Sequence, residues 1–336
     1  DGTSIGTRAL DLNPGRPDSA WDQIYGLNSK IVFRRHTEAT GYEPWISDGT
    51  ISGTRMIKEF NPSGDSTLEL AAESNGKIYL KINDQTEPGY TAVWVTDGTS
   101  ANTIKLTSRC ANNGNPDPQT FTPVAGGLLF KLNDCQYNHK WWRTDGTVVG
   151  TSILNPNYDP VTTQWGDVSI YQNGGKYYFS TPTVEAGWEL WVTDGSPSGT
   201  HLVKDINTGN ESSSPYAYFK VGNKYFFIAN SKELWVTDGT TSGTIALPAN
   251  TSGNSNVSYL TVVGSTLYFS ADDGVNGYEL WKSDGTVGGT TMVKDIRTGA
   301  LNSSPQQLTV NGSSLYFTAD FLQNHIEFQK IFANVQ

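Results

Sequence analysis

Glu189-Leu-Trp191-Val-Thr-Asp194-Gly-Ser-Pro-Ser-Gly-Thr200-His-Leu-Val-Lys-Asp-Ile206 decides the fold, because the turn at its centre returns along the whole chain. Asp-Gly-Thr, or Asp-Gly-Ser at Asp194, begins at Asp1, Asp48, Asp97, Asp145, Asp194, Asp238 and Asp284, at separations of 47, 49, 48, 49, 44 and 46 residues. A period this regular marks a repeat protein, in which each unit buries its apolar faces against its neighbours.

One unit reads as four strands and three turns. Ser304 to Val310, the turn Asn311-Gly312, Leu315 to Ala319 and, in the preceding unit, Tyr278 to Ser283, Asp284-Gly-Thr and Thr291 to Ile296 supply the pattern. Asn-Gly or a glycine equivalent (Asn75-Gly76, Gly126-Gly127, Asn173-Gly174, Gly222-Asn223, Gly264, Asn311-Gly312) joins the first strand to the second. That dipeptide accepts the positive φ angles of a tight hairpin, so consecutive strands are antiparallel. The Asp-Gly-Thr turn joins the third strand to the fourth: Asp accepts nearby amides, and Gly takes φ > 0. Runs such as Lys176-Tyr-Tyr-Phe179 and Lys224-Tyr-Phe-Phe-Ile228 are apolar at consecutive positions, which predicts sheets buried on both faces.

Stacked four-stranded antiparallel sheets with this period predict an all-β, seven-bladed β-propeller occupying residues 1–336 as a single domain. The chain opens at the turn before a fourth strand (Thr7 to Leu12) and ends in the first three strands of its last unit. The N-terminal strand is therefore expected to complete the C-terminal blade and close the ring. Because Asp1 falls inside a repeat, the sequence reads as part of a longer precursor.

Composition narrows the partners. Of 336 residues, 23 are basic and 33 acidic, a net charge of -10 that opposes phosphate backbones and anionic lipid, so nucleic acid is not an expected partner. No apolar run reaches the ~18 residues of a membrane span, and membrane insertion is not expected.

The segments Glu189 to Ile206 and Tyr278-Glu-Leu-Trp281 to Ile296 resemble the ELWxxDGT repeat of large secreted and cell-surface proteins, mostly bacterial. The resemblance covers the whole chain, is fair at Asp48 and Asp238, and is worn at Asp97, Asp145 and Ile326-Glu327-Phe328. It implies a propeller in an extracellular setting, secreted or on the cell surface, and brings no catalytic residues with it.

Trp45, Trp94, Trp142, Trp191, Trp235 and Trp281 stand three residues before their turn Asp, with Phe328 in a comparable place. Burying each removes about 150–250 Å² from water, or about 4–6 kcal/mol gross, which assigns them to the core. Trp21, Trp141, Trp165 and Trp188 lie off that register. Trp21 and Trp165 fall in or beside fourth-to-first-strand connections, and Trp188 ends a second-to-third-strand loop. Antiparallel counting puts both loop types at one rim. Two readings stand: rings that stack on sugar faces, or loops packed over the blades. The fourth unit is the first candidate site, with Trp165, Trp188, Tyr158, Asp159 and Glu185 expected to converge. The second lies across the closure, where Arg34, Arg35 and His36 of the first blade adjoin the seventh with His325, and Trp21 is a further ligand-binding candidate.

Cys110 and Cys135 map to the same rim of adjacent blades, where they either form a disulfide worth about 3 kcal/mol or remain thiols. No Cys-x-x-Cys, nucleophile elbow or phosphate-cradling loop is present, and the turn aspartates lack a second carboxylate at calcium-loop spacing. No cofactor or metal is implied. Rim carboxylates such as Glu38, Asp134, Glu185, Asp272 and Asp273 leave a glycosidase pair open. The expected function is non-enzymatic binding or adhesion, lectin-like, to a glycan or a protein on a surface. The alternatives are a structural unit that self-assembles within a larger adhesin or filament, and a polysaccharide-active enzyme.

Overall fold

The computed structural model describes residues 3, 7, 12, 21–84, 90–108, 117–133, 139–154, 170–250, 255–322 and 325–332, the last stretch as backbone. The described chain is all-β: six four-stranded sheets and one three-stranded sheet, every pairing antiparallel and every sheet built from consecutive strands. The first sheet is Trp21–Gly26, Ile31–Thr37, Gly41–Ser47 and Arg55–Met56, and the other six follow in chain order. Two compact units divide the chain. One comprises Asp1–Trp165 with Asp194–Thr200, and holds the first three sheets; the other comprises Gly166–Thr193 and His201–Gln336, and holds the last four.

Five of the seven sheets are centred on one cross-strand aromatic pair. Phe33 faces Trp45, Phe130 faces Trp142, Phe179 faces Trp191, Phe227 faces Trp235 and Phe269 faces Trp281, while Leu80 takes the Phe place opposite Trp94. Trp94, Trp191 and Trp281 are buried, as expected of core residues. Trp45 and Trp235 are half-buried, and cations cover them: Arg35 lies 4.5 Å from the first ring and Lys204 5.9 Å from the second. The seventh sheet departs from the expected register, since Phe317 pairs with Gln329 and Phe328 with Thr318.

The cores lie between successive sheets. Tyr225 packs with Tyr178 and Leu190 of the fourth sheet, whereas the next residue, Phe226, packs with Phe269 and Leu267 of the sixth. Successive side chains leave opposite faces of a strand, so the consecutive apolar positions in the second strands fill two cores at once.

The Asp-Gly-Thr turn is a closed hydrogen-bonded unit. Asp48 Oδ1 accepts from the Thr50 amide (2.9 Å) and hydroxyl (2.7 Å), Thr50 Oγ1 accepts from the Gly53 amide (2.9 Å), and the Thr54 hydroxyl donates to the Thr50 carbonyl (2.6 Å). The same Asp to Thr or Ser pair of bonds recurs at Asp97, Asp145, Asp194, Asp238 and Asp284. A Cβ on Gly53 would overlap the Asp48 carboxylate, which is why glycine follows five residues after the Asp. At the one turn lacking that glycine, Asn102 instead donates its side-chain amide to Asp97 Oδ2 (2.6 Å).

The turn's own glycine seats against the preceding sheet. Gly98 meets Ile46 of the first sheet, Gly146 meets Lys77 and Tyr79 of the second, Gly195 meets Val124 of the third, and Gly239 meets the Tyr178 ring of the fourth. Cations fasten the same corners: Arg55 Nε donates to Gly98 O (2.9 Å), Lys77 Nζ to Asp145 O (2.7 Å) and Lys224 Nζ to Gly285 O (3.2 Å).

Glycine at these corners thus serves both φ and space. Gly239 has φ +88° and the immovable Tyr178 ring against it, whereas Gly312, at φ +62°, has nothing within 4 Å. Gly312→Ala is expected to cost about 1 kcal/mol from φ strain alone, and Gly239→Ala about 1–3 kcal/mol more from the forced shift. Denaturant unfolding of the two variants checks the difference.

Candidate functional site

The turn aspartates are spent on the fold. A hydroxyl bond from Thr or Ser, foremost, and an amide hold the carboxyls of Asp97, Asp145, Asp194, Asp238 and Asp284 below the usual range. Among the described residues, no group of three or more His, Cys, Asp or Glu lies together as a metal site.

At the opposite end of the sheets, three segments share one construction: Gly41-Tyr42-Glu43, Gly187-Trp188-Glu189 and Gly277-Tyr278-Glu279. Each glycine has positive φ, 67°, 62° and 70°. Each also lies under the chain leading into the next sheet, so a Cβ on Gly41 would stand 2.5 Å from Asp65 Oδ1 and one on Gly187 2.7 Å from Glu211 O. The aromatic residue donates its amide to that chain: Tyr42 to Asp65 Oδ1 (2.8 Å), Trp188 to Ser212 Oγ (3.0 Å) and Tyr278 to Asn302 Oδ1 (2.9 Å). Trp188 is therefore not irregular. It occupies a repeat position inside the third strand, Gly187–Thr193, rather than the end of a loop, and it is half-buried.

The following glutamate is fully buried in all three segments. Glu279 accepts from the amides of Ile296 (2.9 Å), Arg297 (3.3 Å) and Ser303 (3.2 Å) and from the Ser303 hydroxyl (2.6 Å). Glu189 binds Ile206, Asn207 and Ser213 in the same way, and Glu43 binds Phe60, Asn61 and Ser66. Burial pushes the Glu43 and Glu189 carboxyls up, against the pull of these donors. These acids pin one sheet's third strand to the lead-in of the next. In the fifth sheet Glu233 stays half-exposed, taking bonds from Asn230 (2.9 Å) and Trp235 Nε1 (3.1 Å), and Ser255 Oγ accepts the Ala249 and Asn250 amides instead.

Of the sequence-derived candidates, Glu185 is exposed in the hairpin before Gly187. Trp165, Tyr158, Asp159, Cys110 and Cys135 lie outside the described residues, as does the Trp21 side chain, so their expected convergence and pairing are not described. Arg34, Arg35 and His36 share one strand but do not make one open cluster. Arg34 binds Asp22 through two nitrogens (2.5 and 2.7 Å), donates to Ser66 O (3.3 Å) and lies 4.6 Å from the Tyr42 ring centre. His36 packs edge-on to the same ring at 5.0 Å. Arg35, on the alternate face, is buried, covers Trp45 and donates to Leu12 O (3.2 Å), and burial pulls its pKa down.

The feature that sequence reasoning missed is a bulge repeated in five first strands. Residues 23–24 oppose Phe33, 120–121 oppose Phe130, 217–218 oppose Phe227, 259–260 oppose Phe269 and 307–308 oppose Phe317, two residues against one each time. The first residue of each pair has positive φ: Gln23 51°, Thr120 56°, Ala217 53°, Tyr259 53° and Gln307 54°. The second turns inward in the cases with rings, Tyr218 stacking on Phe227 at 5.6 Å and Phe121 meeting Phe130 at 6.3 Å. Holding a non-glycine residue there costs about 1–2 kcal/mol. The residue types share nothing, so only the opposing Phe and the prolines Pro118, Pro215 and Pro305 upstream hint at it in the sequence.

No family model matches the sequence, and no curated protein does. Among solved structures, the computationally designed protein Ika8 is similar at 13% identity, TM-score 0.36, over 94% of this chain and 88% of that one. The β-propeller domain of the Trilobed protease from Pyrococcus furiosus is similar at 13% identity, TM-score 0.38, over 93% and 95%. A prolyl endopeptidase is similar at 10% identity, TM-score 0.41, over 95% of this chain and 49% of that one, so the chain spans about half its length.

The buried glutamates make a differential prediction. Glu279→Ala strands three amides and a hydroxyl in the interior and is expected to cost about 3 kcal/mol or more. Glu233→Ala, at a half-exposed position, is expected to cost about 1 kcal/mol. Chemical denaturation of both variants measures the gap.

Proposed function

We propose that the chain is a non-enzymatic binding module of an extracellular surface, recognising a glycan or another surface partner through the sheet ends away from the Asp-Gly-Thr turns. One observation carries this reading: aromatic rings are left open at those ends, Tyr216 47% and Tyr259 48% exposed, with half-buried Trp188 beside exposed Glu185. The acids of the turns and of the Gly-aromatic-Glu segments, by contrast, are consumed by internal hydrogen bonds. The likeness of Glu189 to Ile206 to the ELWxxDGT repeat supports the secreted or cell-surface setting.

The proposal includes the architecture: the seven sheets are the blades of one seven-bladed propeller, with the segment around residues 7–12 as the missing fourth strand of the seventh sheet. The three strands of that sheet, against four in every other, support it. Deletion of residues 1–12 is expected to lower the thermal midpoint by several degrees, about 1–3 kcal/mol of lost pairing and packing, and an unchanged midpoint speaks against the closure.

A second reading, contact with other proteins in a larger assembly, is favoured by apolar tips on the Asp-Gly-Thr turns, Ile51 67%, Val148 60%, Val149 96% and Val287 57% exposed. Binding of the whole chain to a glycan array, and its weakening by about tenfold in Trp188→Ala, supports the first reading. An empty array together with concentration-dependent self-association lost in Val149→Asp supports the second.

A further inference from the structure

In the second unit the first strands of the fifth, sixth and seventh sheets, Tyr216–Val221, Ser258–Val263 and Gln306–Asn311, lie beside one another in succession. The Thr261 hydroxyl donates to Leu308 O (3.2 Å), which ties the sixth sheet's first strand to the seventh's. Phe219, Leu260 and Val262 pack on one core cluster, which ties the fifth to the sixth. Ala217, Tyr259 and Gln307, the outward residues, thus belong to neighbouring strands.

Glycine would hold φ near +53° without strain, and this chain uses it freely: Gly222, Gly264 and Gly312 take positive φ in the very hairpins that leave these strands. None of the five bulge positions is glycine. A bulky ring at such an angle, as in Tyr259, is a backbone outlier, a sharper case than Gln23 or Thr120 in the first unit.

Residues 212–219, 255–261 and 303–309 are themselves uncharged, with Glu211 and Lys220 flanking the first segment and the amides of Asp272 and Asp320 bonded to Ser255 O and Ser303 O of the others. The three segments contain no Asp, Glu, Lys or Arg, but three tyrosines, two glutamines, an asparagine and many serines. The matching positions of the first unit carry Asp22 and Asp117, already tied to Arg34 (2.5 Å) and Lys81 (2.6 Å). Tyr216 and Tyr259 are about half-exposed, Gln306 and Gln307 are exposed, and the Tyr216 hydroxyl is anchored to Ser231 O (2.9 Å), which limits the ordering cost of binding.

We infer that these three neighbouring strands form a binding site for a neutral glycan, the rings of Tyr216 and Tyr259 meeting sugar faces and the amides of Gln306 and Gln307 bonding hydroxyls. An uncharged polyhydroxyl ligand matches both the flat rings and the absence of charge in the three segments. The inference rests on the glycan reading above and specifies its ligand class and residues.

Tyr259→Gly and Gln307→Gly test it, with Gln23→Gly in the first unit as control. Thermal unfolding and binding to immobilised neutral oligosaccharides (cello-, manno-, malto- and chito-oligosaccharides), alongside sulfated and uronic-acid oligosaccharides, are measured for each. The expected result is a thermal midpoint that holds or rises in all three variants, with neutral-sugar binding lowered about tenfold in the first two alone. A lowered midpoint in Tyr259→Gly and Gln307→Gly overturns the inference by giving those side chains to the fold. Neutral-sugar binding that survives both substitutions, or binding confined to the acidic sugars, overturns it while leaving the broader glycan reading in place. No binding to any sugar overturns both.

Discussion

A glycine that touches the sheet before it is the contact on which this architecture depends. The Asp-Gly-Thr hydrogen bonds make each turn rigid without outside help, and the absent Cβ of Gly98, Gly146, Gly195 or Gly239 lets that rigid corner come down onto a strand of the preceding sheet. The cation bonds from Arg55, Lys77 and Lys224 to turn carbonyls act at the same corners, so position and attraction coincide. Once the corner spacing is set, the facing side chains either fill the gap or leave a void. The same Phe and Trp pair recurs at the centre of five sheets.

Much of this was legible in the sequence, because the devices that set the repeat use fixed residue types. Asp, Gly and Thr in the turn, Asn-Gly in the first hairpin and Trp three residues before the Asp each have one local job, and a residue with one local job recurs visibly. The buried glutamates were harder. A Glu two residues before a Trp reads as a solvent-facing strand residue, and only the lead-in of the next sheet, with its amides and Ser66, Ser213 or Ser303, makes it internal. The triplet Gly-aromatic-Glu was nevertheless present three times, and it would have placed Trp188 on the repeat.

The bulges were illegible for a physical reason. Their backbone is dictated from outside, by a Phe in the neighbouring strand that draws Tyr218 or Phe121 inward and so forces the preceding residue through the left-handed region. Nothing in the preceding residue itself announces the conformation, and Gln, Thr, Ala, Tyr and Gln share no propensity for it.

The two units use that one backbone device differently. In the first, acids near the bulge are neutralised by partners from the same or the adjoining sheet: Asp22 by Arg34 at 2.5 Å and Asp117 by Lys81 at 2.6 Å. Burial of Asp117 works against its charge, but the bonds from Lys81 and Gln119 outweigh it, and its carboxyl is held below the usual range. Such pairs hold sheets together and leave little for a ligand. In the second unit residues 212–219, 255–261 and 303–309 carry no charge of their own, and Phe219, Leu260 and Val262 pack beneath them on a shared core. Both units keep non-glycine residues at the left-handed position, Gln23 and Thr120 in the first and Ala217, Tyr259 and Gln307 in the second. The difference between the units therefore lies in what surrounds that position, paired charges in the first and uncharged segments in the second.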